Sequence, residues 1–120
     1  MGKRSRQRGR GEKLEAPVSE YHAADDGAVI SLRGAMTPKT RAQYAEVLHG
    51  NTGSQEDAWQ RAVEFLFERL VVGWEVSGVP TTGQKDLLLR LRASTQDERR
   101  WVRAVLREHI AEHFPDVEAP

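Results

Sequence analysis

Between Trp59 and Val71, apolar side chains recur three and four residues apart: Trp59, Ala62, Val63, Leu66, Phe67, Leu70 and Val71. That spacing lines one face of an α-helix, and any fold for this chain must bury that face. Phe65 and Val72 widen the stripe, so this is expected to be the most buried element. Ser54 is placed to cap its first turn, and Glu56 and Asp57 suit the positive end of the helix dipole. The helix should reach about Val72, with Gly73 ending or loosening it.

Three more helices follow from capping chemistry. Thr37-Pro38 combines a capping hydroxyl with a proline pre-set for the first helical position, predicting a helix from Pro38 to about Leu48. Tyr44, Ala45 and Leu48 share its inner face, and His49-Gly50-Asn51-Thr52-Gly53 stops it. A short helix is expected over Gln84–Arg92, with Leu87, Leu88 and Leu91 inward. The last begins at Ser94 or Thr95, since Ser94 with Asp97 and Thr95 with Glu98 both approximate a capping box. Its apolar face is Trp101, Val102, Val105, Leu106, Ile110 and Phe114, and Pro115 closes it.

Strand signals are few. Residues 28–33, Ala-Val-Ile-Ser-Leu-Arg, are β-branched and partly alternating, and Gly34 ends them. A lone strand needs a partner. Trp74-Glu75-Val76 offers a two-stranded ribbon, and another chain is the alternative. Residues 76–83 read as a loop. The fold class is therefore mostly α: about four helices, one or two short strands and a disordered basic N-terminal tail.

At 120 residues, one domain is expected. Residues 1–26 read as tail and linker, 27–115 as the helical domain, and 116–120 as a frayed acidic end. The tail holds Lys3, Arg4, Arg6, Arg8 and Arg10 without an acid, so the rest must carry −5 to reach the net charge of zero. The fold is thus mildly acidic, unlike a protein that binds nucleic acid with its folded surface. Alternating arginines can still neutralise phosphates, which makes the tail a nucleic-acid site in the alternative reading. Interleaved aromatics for base stacking are missing.

Catalysis finds little support. No cysteine is present, which excludes disulfides, thiol chemistry and cysteine-held metals and fits a reducing compartment. The start has no apolar stretch for a secretory signal, and Arg6 stands where a myristoylation site needs a hydroxyl. No apolar run is long enough to span a membrane. His109-Ile110-Ala111-Glu112-His113 has two histidines one turn apart and spells H-x-x-E-H. A catalytic zinc also needs a third ligand and a cleft. The expectation is a solvated helix flank beside Ile110 and Phe114, with no metal and no cofactor. Gly9-Arg10-Gly11 lacks the strand and helix of a phosphate loop, and no glycine frames a nucleophile. The reading is a non-enzyme.

Two segments carry a resemblance. Residues 30–38, Ile-Ser-Leu-Arg-Gly-Ala-Met-Thr-Pro, run from a strand into a helix cap. Residues 65–76, Phe-Leu-Phe-Glu-Arg-Leu-Val-Val-Gly-Trp-Glu-Val, precede a Gly-containing turn and a Leu-rich helix. Over roughly residues 28–114 the chain resembles the small tail assembly chaperones of long-tailed phages and prophages, in which a helix ends in Leu-Val-x-x-Trp. It departs from them at Glu75-Val76, where Asn or Asp is usual, and in its basic tail. The resemblance implies a protein of the bacterial host cytoplasm that keeps the helical tape-measure protein soluble until tail-tube subunits replace it. Partners would be the tape-measure protein and, at exchange, the tail-tube protein; apart from the resemblance, few apolar residues lie outside the second and last helices, so the core is thin and self-association or a partner surface would help it. Each tryptophan is more often core than interface, but Trp74, beside Gly73, is the one expected at a rim. Phe67, Trp74 and Trp101, supported by Leu70 and Leu88, are the expected partner-binding residues.

Overall fold

The computed structural model describes residues 17–24, 27–50 and 53–120. In chain order its elements are β1 (Val18–His22), β2 (Val29–Arg33), α1 (Pro38–His49), α2 (Gln55–Leu70), β3 (Val71–Val76), β4 (Val79–Thr81), α3 (Gln84–Arg92) and α4 (Gln96–His113). The tail reading of Lys3, Arg4, Arg6, Arg8 and Arg10 lies outside the described residues.

The helix starts follow the capping chemistry. Thr37 accepts from the Thr40 amide and Ser54 from the Asp57 amide. Thr95, not Ser94, caps α4, in a complete capping box with Glu98. The apolar stripe of α2 is buried at Ala62, Leu66, Phe67 and Leu70. This helix ends at Leu70 rather than Val72, because Val71 is already extended, and Gly73 lies inside a strand.

The mostly α expectation is corrected by a four-stranded antiparallel sheet, ordered β1-β2-β3-β4, so the fold is mixed α/β. The two segments offered as a ribbon do pair, with Ile30 opposite Trp74, but they are the middle of a larger sheet. Residues 18–22, expected as linker, form β1 against β2, with Tyr21 opposite Ile30. Residues 79–81, expected as loop, form β4. Ser77 and Gly78, both at positive φ, make the two-residue turn that matches strand twist. Neither added strand has a clear apolar alternation; both form because a neighbour supplies their hydrogen bonds.

The helices cover one face of the sheet. Ile30, Leu32 and Trp74 join residues of all four helices in one apolar core, while Glu20, Arg33, Glu75 and Pro80 are exposed. No described helix is long and apolar enough to cross a membrane.

The end of the chain is also corrected. Phe114 and Pro120 are buried, and Val117 and Ala119 pack on the core. The Tyr44 hydroxyl donates to the Glu118 carbonyl, and Arg107 donates to the Pro120 carbonyl at 2.6 Å. Burial, reinforced by the Glu118 charge, pushes the Tyr44 hydroxyl well above the usual phenol range. An acidic, proline-flanked segment gives no periodic signal; long-range bonds hold it.

Trp74 is 2% exposed and meets Phe67 edge-on at 5.8 Å, so the rim expected for it is a core position. Trp74→Ala should cost about 3–5 kcal/mol in urea denaturation, the range for emptying a large core site. Val79→Ala, at an exposed position, should stay within about 0.5 kcal/mol.

Candidate partner-binding groove

Among the helices, α2 and the start of α4 flank a groove of about 530 Å³. Its floor is Val63, half-buried, with Leu91 of α3 beneath. One wall, from α2, carries Glu56 and Glu64. The other, from α4, carries Arg99, Arg100 and Arg103. The walls therefore have opposite charge.

The arginine wall is fixed by the α3–α4 corner. The Glu98 carboxylate accepts from the Thr95 amide at 2.9 Å and from Arg90 at 2.8 Å. The Arg90 guanidinium lies 4.8 Å from the centre of the Trp74 ring. One arginine thus ties the start of α4 to the core aromatic. The Arg90 hydrogen bond, then the Thr95 amide, holds the Glu98 carboxyl below its usual range.

Ion pairs cross the groove: Arg92 meets Glu64 at 3.3 Å, and Arg103 approaches Glu56 at 3.9 Å while lying over Trp59. Such partly exposed pairs are typically worth under about 1 kcal/mol. A ligand carrying its own charges can replace them at little cost. The apolar floor and opposed walls suit an amphipathic helix with acids on one flank and bases on the other.

The partner-binding residues expected from the sequence do not form this site. Phe67, Leu70 and Trp74 are core residues with no more than 2% exposure. Leu88 and Trp101 are half-buried against the core. Sequence reasoning missed the large apolar residues left exposed among the described ones, Val18, Leu89 and Val79, at 53%, 55% and 66%. It also missed the groove walls, because arginines on α4 and glutamates on α2 become neighbours only when the helices pack. The alternation of charge with the buried face along α4 was the available signal.

The H-x-x-E-H motif has a structural role. His109 is fully buried, contrary to the solvated flank expected for it. Its Nε2 lies 2.9 Å from the Arg33 carbonyl and its Nδ1 lies 2.7 Å from the Tyr21 hydroxyl. A carbonyl can only accept, so Nε2 carries the proton and Nδ1 accepts from tyrosine. His113 adds a contact from Nε2 to the Ser19 hydroxyl at 3.1 Å. The two histidines thereby clamp α4 to β1 and β2. Gly34 belongs to the clamp: a Cβ there would stand 3.1 Å from the His113 ring. Among the described residues no group of three metal-ligating side chains comes together.

Comparison with protein-family models, with curated proteins and with solved structures finds no match.

Burial, then the neighbouring His113, pushes His109 below the ordinary imidazole value, against the pull of the Arg33 carbonyl and Glu112. The folded state then binds fewer protons than the unfolded one. Stability from this site is complete above about pH 6.5 and declines as pH falls towards the lower folded value. Melting temperature followed from pH 7.5 to 5, as an approximate working range, should show that decline, and His109→Phe should flatten it. Glu98 has the usual carboxylate sign: its contribution is present above about pH 4.5 and is lost as pH falls through its lower folded value. Glu98→Ala at neutral pH should cost about 1–2 kcal/mol by chemical denaturation, the upper range for a lost cap.

Proposed function

We propose that this chain is a non-catalytic tail assembly chaperone, which holds helical segments of a tape-measure protein in the α2–α4 groove until tail-tube subunits displace them. The observation that carries this reading is the groove itself, a half-apolar floor between an acidic and a basic wall. The resemblance of residues 28–114 to such chaperones supports it. The Leu70-Val71-Val72-Gly73-Trp74 part of that resemblance occupies the α2–β3 turn into the core. It therefore acts as a folding signature, and contact with a partner falls to the groove.

Reversible capture needs weak, plural contacts. Leu91 is already buried, so the floor gains only from covering the rest of half-buried Val63, a fraction of the about 1.5–3 kcal/mol for full burial of an aliphatic side chain. Ion-pair exchange along the walls supplies orientation more than affinity. Release then needs only competition, with no covalent step.

The test is a tagged pull-down of the full chain from cells expressing phage tail structural genes, with mass spectrometry of what co-elutes. A long helical protein should co-elute and be lost from the Arg99→Glu, Arg100→Glu double variant. That variant should fold normally by circular dichroism, because both positions are exposed and what it loses is surface bonding, from Arg99 to the Arg92 carbonyl and between Arg100 and Asp97. Nucleic acid released by salt, with no such protein, would sink the reading and move the function to residues 3–10.

A further inference from the structure

The two borders of the sheet differ in what they offer to another strand. In β1, the Pro17 carbonyl accepts from the Gly34 amide at 2.9 Å and the Ala23 amide donates to the Ala28 carbonyl at 2.8 Å. Antiparallel ladders alternate, so odd-numbered residues turn their backbone groups to β2 and even-numbered residues turn theirs away. Val18, Glu20 and His22 thus present amide and carbonyl groups at the border. Val18 is 53% exposed, and the Glu20 and His22 side chains are exposed as well.

At the other border, the two-residue turn makes Val76 and Val79 the closing bonded pair. Pro80 is next, so its backbone nitrogen faces outward. It has no hydrogen to give. Among the described residues, one border is blocked by proline, and the other keeps its donors unpaired.

The open border has an acidic setting. Glu20 is exposed on β1, 3.6 Å from the His22 ring, with exposed Arg33 on the neighbouring strand opposite Val18. On the helix side, Glu108 and Glu112 are exposed and near enough to Tyr21 for their charges to act on its hydroxyl, after the larger effect of burial. Two copies paired edge to edge about a two-fold axis would bring the Glu108 and Glu112 flanks together, and like charges oppose that. A basic strand meets acid on both its faces.

We propose that the open edge of β1 takes up an extended, lysine- or arginine-rich segment of a partner protein as a fifth strand. Backbone bonds to Val18, Glu20 and His22 supply the pairing, and Glu20, Glu108 and Glu112 select for positive charge. This surface is separate from the α2–α4 groove and does not depend on the function proposed for it.

The experiment adds a short labelled peptide of alternating lysine and threonine to the full chain, with amide exchange followed by NMR and affinity by anisotropy. The amides of residues 18, 20 and 22 should slow by at least about tenfold at saturation, while those of 19 and 21, already bonded to β2, should not change. Glu20→Pro removes one outward donor and should weaken binding about tenfold. The Glu108→Lys, Glu112→Lys double variant, which leaves the strand untouched, should weaken it as well and keeps the test open if the proline variant misfolds. Equal binding of a glutamate–threonine peptide, or binding without protection of the three alternate amides, would overturn the proposal. So would protection of those amides before peptide is added that is lost on deleting residues 1–13, which would assign the edge to the chain's own arginine-rich segment.

Discussion

The rest of the structure depends on a junction without a loop. Leu70 ends α2, and Val71, with φ −74° and ψ 128°, begins β3 while its amide still donates to Phe67. Two adjacent valines favour the extended state just where the helix has to stop. The apolar stripe therefore passes from helical spacing to strand spacing without a break. Phe67 and Leu70 bury on the helix side, Val71 and Trp74 on the strand side, in one core. Because β3 is rigidly continued from α2, it fixes the plane of the sheet. β2 and β4 pair with it directly, and β1 follows through β2.

The same junction shows where the sequence was readable. Helix starts could be read because a capping hydroxyl acts on amides three residues away, within the segment itself. β2 could be read from its β-branched run, and Trp74-Glu75-Val76 as its neighbour. β1 could not: Val18 and Tyr21 face opposite sides of the sheet, so no alternation marks them. Its inward residues are held by ring nitrogens from the far end of the chain. Residues 116–120 failed for the same reason, since Tyr44 and Arg107, which hold them, are distant in sequence.

The candidate site was less legible than the fold. The periodicity that marked Phe67 and Leu70 measures burial, and burial removes a side chain from contact with partners; Trp74, expected at a rim because it follows the helix beside Gly73, is buried with them. A surface site in this fold is built from what periodicity treats as background: charged residues on the outer flanks of α2 and α4. Their meaning comes from helix packing, which Arg90 enforces by joining Glu98 to the Trp74 ring. His109 gives the converse case. Two histidines one turn apart suggest coordination, but the partners in reach are a backbone carbonyl, which accepts from Nε2, and a tyrosine hydroxyl, which donates to Nδ1, and they satisfy both nitrogens of the ring.

Pro80 has a consequence for stoichiometry. Open-ended growth by edge-to-edge stacking needs two receptive borders on each molecule, so that every unit is both guest and host. With the donor missing from β4, a molecule recruited through β1 has no matching border to pass on. A sheet extended at β1 would lack, at β4, the outward donor that a further addition uses. The fold can keep one edge available without becoming a seed for fibres.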